Sequence, residues 1–152
     1  MILSETNLEI KSSQIPNAGL GLYTLVDIKN DTYIVEYTGA ITTWKEADHQ
    51  DGDNPYLFYI NEDHVIDGSK NTTSKSKYAN DARGLTRVQG LRNNSTFIED
   101  GIRVFIQATR NIKAGSEIFV NYGPDYWKTV KKNIEIDKQN ELKRNKKKTS
   151  NN

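Results

Sequence analysis

Four stretches of this 152-residue chain carry the side chains from which a reaction site could be built. They are Asn17-Ala18-Gly19-Leu20-Gly21-Leu22-Tyr23, Glu36-Tyr37-Thr38-Gly39, Lys77-Tyr78-Ala79-Asn80-Asp81-Ala82, and the closing Ile112–Trp127, which reads IKAGSEIFVNYGPDYW. In the last of these a β-rich run ends by presenting Tyr122 just before Gly123-Pro124, where the ring either wedges the core or faces a cavity. Other chemistries lack their parts. There is no cysteine, which excludes a disulfide framework and a thiolate zinc cluster. His49 and His64 stand alone, with neither metal-ligand spacing nor a nucleophile partner, and read as surface residues. Gly19-x-Gly21 has no third glycine and opens no helix, so it is not a dinucleotide loop; by itself it reads as a tight turn. What remains is a set of phenols, an amide and a carboxylate.

The elements that must hold these residues are strands. Leu8–Ser12 and a run through Tyr23 and Leu25 form a hairpin around a turn at residues 14–17, and Tyr33–Tyr37 is a strand stopped by Thr38-Gly39. Thr43-x-x-Glu46 reads as a capping box opening a short helix through about His49. Residues 51–55 are a loop. The runs 56–60 and 64–67 are strands joined by an Asn61-Glu62-Asp63 turn, and 68–77 is a loop or the start of a short helix leading to Tyr78. An exposed excursion over 83–92 precedes strands at 96–99 and 102–108, hinged on the two-residue signal Asp100-Gly101. Residues 117–120 read as one strand. Val130, Ile134, Ile136 and Leu142 then give a helix with a thin apolar stripe, decaying into a disordered tail over 143–152. The class is mainly β with few short helices, divided into a domain over 1–130 and a basic helix or tail over 131–152.

The length suits one domain able to bury its core without staples, and no long apolar run or signal-like N-terminus is present, so a soluble intracellular protein is expected. The formal charge of +1 hides a division: residues 128–148 hold nine Lys or Arg against three acids, a balance of +6, leaving −5 on the rest. An acidic body suits a basic substrate peptide, although a solvated surface would look the same.

Read in order, the G-x-G turn, the Tyr37-x-Gly39 after the next strand, Val65-Ile66-Asp67, the aromatic plus Asn80 segment and the closing I-x-A-G-x-E-I-x-x-x-Y-G resemble the SET domain of protein lysine methyltransferases. The likeness runs from about Leu8 to Trp127, and the Tyr-Gly-x-Asp-Tyr-Trp ending is most similar to small viral-type SET proteins without cysteine-rich flanks. It implies a β-clip fold of several small sheets with the Asn80 segment threaded under a neighbouring loop, and S-adenosyl-L-methionine as cofactor. By the same likeness Ala18, Gly19, Leu20, Gly21, Tyr56, Tyr78, Asn80, Asp81, Tyr122 and Trp127 become cofactor contacts, and Tyr122 and Tyr37 the catalytic pair lining the lysine channel. Trp127 would fold over the adenine or the substrate groove, or pin the C-terminal helix. Where the family has Asn-His-Ser, this chain has Asn80-Asp81-Ala82. The family's histidine acts largely through its backbone, a role that Asp81 can keep. Val120 stands where some members carry a methyl-limiting Tyr or Phe, so higher methylation states stay open.

The implied reaction is lysine N-methylation of a histone or another basic protein, with the nucleus or chromatin as the place of such a substrate. No metal and no membrane take part, nucleic acid meets only the tail, non-specifically, and the state is monomer or homodimer. The alternative is an inactive SET-like module that binds protein or nucleic acid through its basic tail. A free lysine amine, with a pKa near 10.4, costs roughly 4 to 5 kcal/mol to deprotonate at pH 7. A narrow channel of tyrosine rings beside a positive sulfur lowers that cost.

Overall fold

The computed structural model describes residues 2–49, 54–84, 86–123, 135 and 138–145. Among the described residues, ten short strands make three small sheets. The first holds β1 (Leu8–Ser12), β2 (Leu20–Thr24) and β9 (Glu117–Ile118) in the order β1-β2-β9. The second runs β10-β7-β8-β3, built from β10 (Val120–Asn121), β7 (Ser95–Asp100), β8 (Arg103–Ala108) and β3 (Tyr33–Tyr37). The third is β4-β6-β5, from β4 (Ala40–Thr42), β6 (His64–Asp67) and β5 (Leu57–Asn61). Two 3-10 turns, Glu5–Asn7 and Lys75–Tyr78, complete the body, and residues 138–145 are helical.

The hairpins form where alternation is bounded by turn residues. β1 and β2 pair antiparallel from Leu8↔Thr24 to Ser12↔Leu20, and the connecting loop uses left-handed Asn17 (φ 64°) and Gly19 (φ 72°). β7 and β8 pair from Ser95↔Ala108 to Asp100↔Arg103. Their two loop residues are therefore Gly101 and Ile102, one position later than Asp100-Gly101. A glycine with φ 63° at the first central position gives the type II′ arrangement.

Other expectations change as well. The capping chemistry at Thr43 is present, with its hydroxyl accepting the Glu46 N–H at 3.1 Å, but it supports a single turn closed by Ala47 N–H to Thr43 O at 2.9 Å. The Trp44 N–H, which a helix would leave without a partner, donates to Glu62 O at 2.8 Å, and residues 44–46 are a turn rather than a helix. His64 is not a plain surface residue: it is half-buried, and its Nε2 is buried without a hydrogen-bond partner. Finally, residues 143–145 are helical, with Leu142 exposed. Residues 51–53 of the expected loop, and most of 124–137, lie outside the described residues.

Residues 117–121 do not form one strand. Glu117–Ile118 extends the first sheet, with Ile118 opposite Leu22, and Val120–Asn121 joins the second, parallel to Ser95–Thr96. Phe119 is the hand-over. Its N–H donates to Asn94 Oδ1 at 2.9 Å, and its carbonyl accepts from the Ser95 hydroxyl at 2.9 Å and the Asn94 and Ser95 N–H groups. On the other side Asn80 bridges Phe119 in parallel. The closing segment thus passes between residue 80 and residues 94–96.

The side chains follow this split. Ile118 and Val120, both fully buried, join Leu22, Ile34 and Ile106 in the main core. Phe119 points the other way, to Ile15 and Ala82. A third cluster gathers Tyr37, Ile66 and Val104, and Phe97 packs against both it and the main core.

Candidate active site

Tyr122 leaves β10 and turns its ring onto Phe97, nearly parallel at 26° with centroids 6.2 Å apart. Its hydroxyl donates to Ala79 O at 2.5 Å, and its own N–H donates to Asp81 Oδ2 at 3.0 Å. Tyr37, the last residue of β3 and 6% exposed, meets the same Phe97 edge-on at 5.8 Å and donates its hydroxyl to Tyr56 O at 2.6 Å. The glycines around Tyr37 are there for close approach. A Cβ on Gly39 would fall 2.0 Å from Asp67 O, and one on Gly68 would fall 2.4 Å from the Tyr37 hydroxyl.

The threaded segment ties these aromatics to the first hairpin. Asn80 donates its side-chain amide to Leu20 O at 3.0 Å and accepts the Val120 N–H at 2.8 Å. A cavity of about 360 Å³ opens where the pieces meet, lined by Ala18, Tyr37, Tyr56, Asn80 and Tyr122 together with Phe58, Lys77 and Phe97. Five of the residues singled out from the sequence therefore share one cavity, drawn from stretches more than a hundred residues apart.

Others stand elsewhere. The Tyr78 ring packs against the main core with Lys77 Nζ 5.4 Å from its centre, outside the cavity lining. Leu20 is half-exposed beside the cavity, and its carbonyl is the Asn80 partner. Val120 is buried in the core and does not line the cavity. Asp81 is 5% exposed, with its carboxylate turned into the fold. Trp127 lies outside the described residues. Phe97 and Phe58 are not among the site residues read from the sequence, and Lys77 stands in its stretch there without a role. Strand alternation puts both phenylalanines on a buried face, but only the pairing of sheets says what that face meets.

The glycine loop has its own anchor. Glu117, 2% exposed, accepts from the Ser13 hydroxyl at 2.6 Å, the Gln14 N–H at 2.8 Å and the Tyr23 hydroxyl at 3.1 Å. Burial, and then the negative charge of Glu117 beside it, push the Tyr23 phenol up to about 12. A Cβ on Gly21 would fall 2.4 Å from Glu117 Oε2, so that position is side-chain-free because the carboxylate needs the room. Gly19 differs: its φ is 72° and a Cβ would meet nothing within 4 Å, which leaves open backbone on that side of the loop. Among the described residues no three His, Asp or Glu side chains gather as metal ligands.

The comparisons with known proteins agree with this geometry. The chain is 28% identical over 143 residues to histone-lysine N-methyltransferase EZH2 of Chaetomium thermophilum, covering 84% of this chain and 9% of that protein. It is 28% identical over 128 residues to human histone-lysine N-methyltransferase 2D, covering 80% and 2%. With histone-lysine N-methyltransferase EZ2 of Zea mays the identity is 29% over 115 residues, covering 71% and 12%. The chain thus spans only a small part of the length of these relatives. Among solved structures, a humanized mutant of the Chaetomium thermophilum Polycomb Repressive Complex 2 bound to the inhibitor GSK126 superposes with a TM-score of 0.61 at 26% identity, over 76% of this chain and 15% of that one. The SET domain family matches residues 19–123, most of the chain and all of the cavity lining except Ala18, and this protein belongs to that family.

Proposed function

We propose that this chain is an S-adenosyl-L-methionine-dependent protein-lysine N-methyltransferase whose catalytic domain covers residues 1–130 and whose basic tail covers 131–152. The observation that carries the reading is the convergence of Tyr122, Tyr37, Ala18 and Asn80 on one cavity. Its volume falls in the range of small-molecule sites. The cofactor fits the residues present: Gly19 leaves open backbone beside Ala18, and Asn80 and Lys77 bring polar groups to a lining that is otherwise largely apolar and aromatic. Ala18, Gly19, Leu20, Gly21, Tyr56, Asn80 and the backbone of Asp81 are the contacts we assign, with Tyr78 and Trp127 as further candidates. When bound, the cofactor supplies a methyl group activated by a sulfonium.

The protein's part is positioning. A phenol that has given its one proton to a carbonyl can offer an incoming amine only lone pairs. Tyr122 donates to Ala79 O and Tyr37 to Tyr56 O, so both phenol oxygens act as acceptors for the amine N–H groups and aim its lone pair along the cavity. The walls of Phe58, Phe97 and Tyr37 strip water from the amine, which favours its neutral form. The relatives' names make histones the first substrates to try, with other basic proteins beside them, and the −5 balance outside residues 128–148 suits either. A histone substrate would bring the protein to chromatin. The tail would add non-specific attraction to nucleic acid, and the domain would act as monomer or homodimer. No described helix is long and apolar enough to cross a membrane.

The experiment is incubation with labelled cofactor and a panel of histones and other basic proteins. Lysines should be labelled, and Tyr122→Phe should reduce the rate by roughly 10² or more, the scale of losing one preorganised hydrogen-bonding group. Label transfer unchanged in that variant would remove Tyr122 from its role, and no transfer to any protein would refute the reading.

A further inference from the structure

Tyr122 is the second residue past Val120, and the two-residue strand β10 ends before it, so the sheet no longer fixes its main chain. Its N–H goes instead to a side chain from a distant segment, Asp81 Oδ2 at 3.0 Å. The other oxygen of that carboxylate takes the Arg83 N–H and the Asn93 side-chain amide, both at 2.8 Å. With only 5% of Asp81 exposed, three N–H donors converge on one buried group. An ionised carboxylate is the short side chain that accepts from every direction and donates in none. The neighbouring residues complete the frame: Ala79 O holds the Tyr122 hydroxyl, and Asn80 holds Leu20 O. Three consecutive residues therefore grip the tyrosine at its amide and at its phenol, and fix the glycine hairpin opposite.

We propose that Asp81 is a positioning residue for methyl transfer, which sets where the Tyr122 phenol sits over the cavity by holding the Tyr122 amide. Its carboxylate does not line the cavity and reaches the reacting centre through Tyr122, while the backbone contact assigned to the cofactor is left in place by a side-chain change. The inference rests on the methyltransferase reading for its consequence, but the clamp itself can be measured without it. Because three donors need three acceptor sites, an amide in place of the carboxylate must turn its own N–H toward one of them. An amide oxygen can keep the side that serves Arg83 and Asn93, which leaves the amide nitrogen facing the Tyr122 N–H, so Tyr122 is the donor displaced, and small displacements at a reacting centre are costly in rate.

The test is Asp81→Asn in the full chain, read by kcat and KM for the basic protein that the wild type labels, by the Kd of S-adenosylhomocysteine, and by hydrogen exchange of the Tyr122 amide. The expected result is a fall in kcat of at least about tenfold with the Kd changed less than about threefold. The Tyr122 amide should exchange at least about tenfold faster while amides of β7 and β8 keep their protection. A kcat within about twofold of wild type, or an unchanged Tyr122 exchange rate, overturns the proposal. So does a loss of kcat, cofactor affinity and β7–β8 protection in equal proportion, which would make Asp81 a general support of the fold. If Asp81→Asn does not fold, Asp81→Ser withdraws the acceptors without setting two donors face to face, and the same outcomes apply. If the wild type transfers no methyl group, the methyltransferase reading fails, and the exchange measurement alone upholds or overturns the clamp.

Discussion

Replacing Gly21 by alanine should destabilise this protein through Glu117, and the size of the effect follows from the packing. Gly21 does not have a positive φ, so alanine can adopt its backbone, and the strain comes from contact alone. The new Cβ would lie 2.4 Å from Glu117 Oε2, 3.0 Å from its Cδ and 3.2 Å from Ser13 Cα. To reach ordinary van der Waals distance the carboxylate must retreat by about 1 Å. That carboxylate holds the Ser13 hydroxyl at 2.6 Å and the Gln14 N–H at 2.8 Å, and neither bond survives such a move. Charge-assisted hydrogen bonds contribute roughly 1.5 to 3 kcal/mol each. The gain from replacing a strand glycine offsets about 1 kcal/mol. A net loss of about 3 kcal/mol remains, which for a domain of this size lowers Tm by roughly 10 °C. Thermal unfolding of Gly21→Ala, Glu117→Ala and the double variant reads it directly. Once Glu117 is shortened the added methyl meets no carboxylate, so the double variant should be no less stable than Glu117→Ala alone, a coupling of about 2 kcal/mol or more. Additive losses, or a Gly21→Ala variant melting within about 2 °C of wild type, would refute the assignment of this glycine to Glu117.

Two further outcomes follow from the same neighbourhoods. The Tyr23 phenol, pushed up to about 12 from 10.0, keeps its proton in the folded state while the unfolded chain loses it, so stability is intact below pH 10 and falls as pH rises from 10 to 12; denaturant titrations across that window should show Tyr23→Phe losing up to about 3 kcal/mol less than wild type, and parallel losses would contradict the shift. Gly68→Ala would set a methyl 2.4 Å from the Tyr37 hydroxyl and drive it off Tyr56 O, so it should cost about 1 to 3 kcal/mol and reduce methyl transfer, and adding Tyr37→Phe should restore part of the lost Tm; no restoration would mean that the clash lies elsewhere.

What the sequence could and could not disclose divides along the distance over which each feature is decided. The hairpins β1–β2, β5–β6 and β7–β8 are written in local alternation and turn residues, and they appear within a residue or so of where the sequence puts them. β4 was missed because Ala40–Thr42 is three residues long and its only partner is β6, more than twenty residues on. The Glu117–Val120 run looks continuous, since nothing local interrupts it; the break at Phe119 is where Asn94 holds the chain, its side chain bonding Glu117 O and the Phe119 N–H and its own N–H bonding Phe119 O. Glycine reads the same way in sequence whether it faces a ligand or a neighbour, and only the fold reveals that Gly21 makes room for a carboxylate while Gly19 lies open. Asp81 is the sharpest case. Beside the family pattern it looks like an erosion of the site, a histidine exchanged for an acid. In the folded chain the acid gathers Arg83, Asn93 and Tyr122 around itself. A substitution at a motif position therefore cannot be scored as loss until the donors that surround it are counted, because a residue that breaks a pattern can be the one its own neighbours require.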